Sequence, residues 1–168
     1  MRRVIGVFAL CSVLASCGVV NGRAEPDCSA GTLDVRPLGH ALGDFVALQD
    51  EVRAVLARRE SPITMREIGR RTGWSAEWDR MISVGHEQTP ASVLIAAGID
   101  TPMCVKGVDD FDPFSERVPY PQTVFLSGGR PIDRVEWFHP QPLIHYGPLR
   151  YVAPDTPLII VNGHLEPS

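Results

Sequence analysis

The sequence predicts an α+β fold, with a helical N-terminal half packed on a small antiparallel sheet from the C-terminal half. Three observations predict it. Apolar residues recur at helical spacing between Leu42 and Leu56, two further segments before residue 100 carry helix start and stop signals, and twelve of the 15 prolines lie between Pro90 and Pro167. That proline density excludes long helices from the second half and leaves short extended pieces.

The first helix is read from Leu42, Phe45, Val46, Gln49, Val52, Val55 and Leu56, which trace one face while Asp50, Glu51, Arg53 and Arg58 fall largely off it. It ends near Glu60, because Ser61 precedes Pro62 and is pushed out of the α region. A second helix follows from Thr64 as N-cap, with Glu67 three residues on and Gly73 as the stop. Trp78 to Val84 reads as the first strand. Thr89-Pro90 opens a short apolar helix closed by Gly98. Thr123 to Leu126 and Ile132 to Phe138 flank Gly128-Gly129 and read as a β-hairpin, and Leu149–Val152 with Leu158–Val161 reads as a later strand pair.

Two arginines, Arg2 and Arg3, precede an apolar run from Val4 that is too short to span a bilayer and has the form of an export signal. The run closes in Leu14-Ala15-Ser16-Cys17, which resembles the lipobox of bacterial lipoproteins. That resemblance implies cleavage before Cys17, acylation of its thiol and amine, and stable anchoring by two or more acyl chains. Residues 1–16 are then a signal peptide, 17–40 a lipid-anchored tether and 41–168 a single domain. Ordinary cleavage after Ala24 is the alternative, since Gly22 and Ala24 are small and suitably spaced.

Removing the signal takes the formal charge from −4 to −6, because two arginines go with it. An acidic exported chain is a poor partner for nucleic acid. The expected partners are the membrane, through the lipid on Cys17, and an envelope protein. Cys11 lies in the signal and Cys17 takes the lipid, which leaves Cys28 and Cys104 as a pair for a disulfide in an oxidising compartment. A dyad of Cys104 with His139 or His164 is the competing use of that thiol.

Three constellations bear on chemistry. Residues 64–75 resemble a helix-turn-helix, with arginines at 66, 70, 71 and 80, but a recognition helix would have to run through Ser83 and Gly85. Asp109, Asp110, Asp112 and Glu116 offer hard oxygens for calcium but lack EF-hand spacing, and read as a solvated acidic loop. Glu136, His139, His145 and His164 supply residue types for a metal site or an acid/base pair, although no helical H-E-x-x-H spacing places them together. Hydrogen-bonded or surface histidines are the simpler reading. No nucleophile elbow, P-loop or dinucleotide fingerprint is present, and no cofactor is expected.

Trp78-Asp79-Arg80 leading a strand, followed by Thr89-Pro90 and a small helix ending at Gly98, is similar to small bacterial exported proteins of unassigned activity. Gly85-His86-Glu87-Gln88 stands where that group carries Gly-Pro-Tyr-Thr. The resemblance implies an α+β envelope protein, with Trp78 in the core and Asp79 and Arg80 pairing at the strand edge. The expected role is a binding or accessory module at the envelope. The alternative is an envelope hydrolase or metal-dependent enzyme using Glu136, His139, His145 or His164. A binding module predicts an exposed aromatic or apolar patch, with Phe111, Phe114, Tyr120 and Trp137 as candidates.

Overall fold

A computed structural model describes residues 28–36, 40–85, 88–108, 122–137, 143–147 and 149–168. The signal segment, Cys17, the start of the tether, the acidic run from Asp109 to Glu116, the rings of Phe111, Phe114 and Tyr120, and His139 all lie outside the described residues.

Within them the chain is mixed helix and sheet. The three helices are α1 (Phe45–Arg58), α2 (Met65–Thr72) and α3 (Pro90–Ala97). The strands are β1 (Thr32–Asp34), β2 (Arg80–Val84), β3 (Cys104–Lys106), β4 (Gln122–Ser127), β5 (Arg130–Glu136), β6 (Leu158–Val161) and β7 (His164–Pro167). They form a β2-β4-β5 antiparallel sheet, a β6-β7 hairpin and a parallel β1-β3 pair.

α2 and α3 start and stop where the sequence signals them, whereas α1 begins only at Phe45, after Leu42, and ends at Arg58, short of Glu60. Asp44 accepts from the backbone N–H of Val46 at 2.8 Å and so caps α1. Thr64 accepts from Glu67 N–H at 3.2 Å. Thr89 and Ser92 exchange both bonds of a capping box. Gly98 ends α3 at φ 73°, and a Cβ there would overlap the guanidinium of Arg80. That guanidinium donates to Ala97 O at 3.1 Å, placing a cation on the negative end of the helix. Arg80 also pairs with Asp79 at 2.9 Å, and Trp78 is buried.

The expected helical N-terminal half is not what folds. Besides the expected strand β2, that half holds β1, which falls inside the segment read as tether. Leu33 and Val35 are apolar residues that alternate into a core, and β3 supplies the neighbour their backbone needs. Cys28 and Cys104, 76 positions apart with Cα atoms at 4.9 Å, are joined by a disulfide at the end of this pair. Structure therefore begins well before Ala41.

The central sheet is covered on both faces, which is why consecutive residues are apolar at Met81-Ile82 in β2 and at Val124-Phe125-Leu126 in β4. Met81, Phe125 and Val135 face α1, α2 and the β6-β7 hairpin. Ile82, Val84, Val124 and Leu126 face α3 and the β1-β3 pair. Phe125 is held edge-on by Trp78, ring centroids 5.0 Å apart, and tilted against Trp74 at 5.4 Å. Aromatic pairs of this kind are worth about 0.5–1.5 kcal/mol beyond burial.

The late strand pair is also corrected. Leu158–Val161 pairs with His164–Pro167, not with Leu149–Val152, because Asn162 (φ 48°) and Gly163 (φ 89°) form a two-residue turn with positive φ at both positions. Val152 instead exchanges both backbone hydrogen bonds with Met81, at 2.8 and 2.9 Å, and extends the central sheet beyond β2.

The basic residues of the helix-turn-helix-like stretch are engaged by carboxylates. Arg66 meets Asp155 at 2.5 Å, Arg70 meets Glu67 at 2.8 Å, and Arg71 contacts Glu51, Glu60 and Glu67. The hydrogen bonds from Arg71 hold the Glu60 carboxyl at about 2, and those from Arg70 and then Arg71 hold Glu67 at about 2. Residues 80–84, where a recognition helix would continue, are strand β2.

Candidate functional site

β7 and the segment from Leu143 to His145 run side by side. Leu165 N–H donates to Leu143 O at 3.0 Å, and His145 N–H donates to Leu165 O at 2.8 Å. The bridge pairs Ile144 with Leu165 in parallel, and both side chains are buried. Successive side chains on extended backbone point to opposite faces. With Ile144 and Leu165 turned into the core, His145, His164 and Glu166 must share the outer face.

They meet there. Glu166 Oε1 lies 2.6 Å from His164 Nε2 and 3.3 Å from His145 Nδ1. The two imidazole rings are 5.3 Å apart, inclined by 59°. One donor atom from each of the three residues falls within 4.8 Å of the others, a group that could hold a metal ion. The hydrogen bond from His164 holds the Glu166 carboxyl below its ordinary range, with the charges of His164 and His145 adding to it. At neutral pH Glu166 is therefore a carboxylate that orients a neighbouring imidazole.

Of the four residues singled out from the sequence, His145 and His164 come together. Glu136 does not join them: its carboxylate accepts from Gln122 Nε2 at 2.9 Å and lies 3.6 Å from Arg134. Glu166 was missed, and its signal is local. Once Asn162-Gly163 is taken as a hairpin turn, His164 and Glu166 stand two apart on one face of a strand. The dyad of Cys104 with His164 is replaced by the Cys28–Cys104 disulfide.

His145 also lines a cleft of about 470 Å³, between β2 and α3 on one side and the stretch around Tyr146 on the other. Ser83, Gln88 and Arg150 give it polar groups, and Ile95 and Leu149 an apolar rim. Those two side chains are exposed by 48% and 44%, among the largest apolar exposures described. Arg150 has no carboxylate partner among the described residues. Tyr146 is fixed from below by a chain of hydrogen bonds: its hydroxyl lies 2.9 Å from Thr123 Oγ1, which accepts from Trp137 Nε1 at 2.9 Å. Burial pushes the Tyr146 phenol well above its usual value, so it stays neutral. Trp137, a candidate for an exposed aromatic patch, is thus a core residue at 1% exposure.

No family model, curated protein or solved structure matches this chain. Among the described residues no helix is long and apolar enough to cross a membrane.

Proposed function

We propose that this protein is a lipid-anchored binding module of the bacterial cell envelope whose cleft takes a small ligand with an apolar body and an acidic group. The lipobox at Leu14-Ala15-Ser16-Cys17 supports the anchor and the extracytoplasmic address. The cleft is the observation that carries the binding role. A concave site with apolar walls and a few convergent polar groups is the usual form of a small-molecule site.

The chemistry of the lining selects the ligand. Ile95 and Leu149 offer apolar surface, Ser83 and Gln88 offer hydrogen bonds, and Arg150 offers a positive charge. A bond from a guanidinium to a carboxylate contributes about 1.5–3 kcal/mol, enough to prefer an acid over an alcohol of equal size.

The test is thermal stability of the full chain against a panel of straight-chain carboxylates, alcohols and amines of matched length. Saturable stabilisation by carboxylates, lost in Arg150→Ala and weakened in Ile95→Ser, is expected. Equal response to all three headgroups removes the acid selectivity, and no response to any removes the ligand-binding role. The anchor has its own readout: labelled palmitate should enter the wild-type chain in a bacterial host and be absent from Cys17→Ala.

A further inference from the structure

We propose that His145, His164 and Glu166 form a binding site for a divalent transition-metal ion of the zinc class, at the edge of the cleft. The inference stands apart from the ligand proposed for the cleft and does not depend on it.

The donor set selects the metal. Two imidazoles and one carboxylate suit zinc, copper(II) or nickel, whereas calcium and magnesium take oxygen ligands almost alone. Three protein ligands leave a fourth position open in a tetrahedral site. His145 belongs to both the triad and the cleft wall, so the triad lies at the cleft's edge.

Two of the three ligand separations are close to those required, and the third, between the two imidazole nitrogens, lies within 4.8 Å and has to close by up to about 1.4 Å. Ligands about 2.0–2.1 Å from a tetrahedral zinc stand about 3.4 Å from one another. His145 Nδ1 and Glu166 Oε1 are already at 3.3 Å. His164 Nε2 and Glu166 Oε1, at 2.6 Å, are in a direct hydrogen bond and need to part by less than 1 Å. A metal replaces the proton they share, so binding releases a proton and weakens at low pH.

The frame is rigid and the entrance open. All three residues sit on backbone held by the Leu143–Leu165 and His145–Leu165 hydrogen bonds, over the buried side chains of Ile144 and Leu165. Side-chain exposures of 56% for His145, 21% for His164 and 25% for Glu166 let an ion arrive from solvent. Support of this kind separates a preorganised site from histidines that are merely near each other.

The experiment is calorimetric titration of the full chain, purified in detergent and stripped with chelator, using Zn²⁺ alone, and repeated with Mg²⁺ and Ca²⁺. One equivalent of Zn²⁺ per chain is expected, at least about tenfold weaker in His145→Ala and in Glu166→Gln, and without response to Mg²⁺ or Ca²⁺. His145 is exposed, so its loss leaves the core intact, and circular dichroism of each variant checks this. Absence of Zn²⁺ binding overturns the proposal. So does binding that folded His145→Ala and Glu166→Gln retain at wild-type strength, which would place the ion elsewhere.

Discussion

The buried carboxylate of Asp133, on β5, accepts a 2.8 Å hydrogen bond from the backbone N–H of Leu42, 91 positions earlier in the chain. Its other oxygen accepts from Arg134 N–H at 2.7 Å. Asp133 is 0% exposed and Leu42 4%, so neither partner has water to fall back on. The pair fastens the approach to α1 onto the sheet.

Asp133→Ala leaves the buried Leu42 N–H without its acceptor, and is expected to cost about 1–3 kcal/mol in urea denaturation. Asp133→Asn keeps one acceptor oxygen and should lose less. If the two variants unfold at the same urea concentration, the Leu42 bond is not what Asp133 contributes.

Acid should destabilise this protein through the Arg71 cluster. Glu60 and Glu67 are held at about 2 against an ordinary 4.5, so their stabilisation is complete above pH 4.5. It is lost as the pH falls from there toward 2, because the unfolded chain takes up protons first. These groups are partly solvated, and salt should flatten the profile. The urea midpoint is expected to fall between pH 4.5 and 2 in wild type, and to fall less in Arg71→Gln. An unchanged slope in that variant assigns the acid sensitivity to other carboxylates.

The helices and the central hairpin were legible because their determinants are adjacent in sequence. Thr64 and Thr89 cap within three residues of themselves, and Gly128-Gly129 turns β4 into β5 at the point where the chain reverses. β1 was not legible. Three residues carry no measurable periodicity, and the strand exists because β3 lies beside it some 70 residues later. The candidate site failed in the same way. His145 joins His164 and Glu166 through pairing with β7, a tertiary relation that no spacing encodes, whereas the Asn162-Gly163 turn was available and its strong hairpin preference outweighs the apolar character of Leu149–Val152.

The Cys28–Cys104 bridge closes a long loop and secures the β1-β3 layer over Val124 and Leu126. A disulfide typically contributes about 2–4 kcal/mol. Reduction, or Cys28→Ser, should lower the denaturation midpoint accordingly and open amide exchange first at Leu33 and Val105. Exchange that speeds up equally in β4 would mean the bridge supports the whole domain and not this layer.

Gly163 tests the turn that creates the site. At φ 89° it adopts a conformation that L side chains avoid, yet a Cβ there would meet no atom within 4 Å. Any loss in Gly163→Ala is therefore conformational and not steric, and about 1–2 kcal/mol is expected. Leu165→Ala, on the adjoining strand, removes a fully buried side chain and should cost about 2–5 kcal/mol through the cavity it leaves. The two variants differ in what they do to the outer face. Strain at the turn shifts the β6-β7 register from its tip, where His164 pairs with Val161, so Gly163→Ala should disturb the ring resonances of His164 more than those of His145. Leu165 lies beneath the parallel contact with Ile144, and its truncation should disturb both histidines together. Equal effects of the two variants on both rings would show that the hairpin and the 143–145 segment move as one unit, with the turn contributing no separate control over the geometry of Glu166.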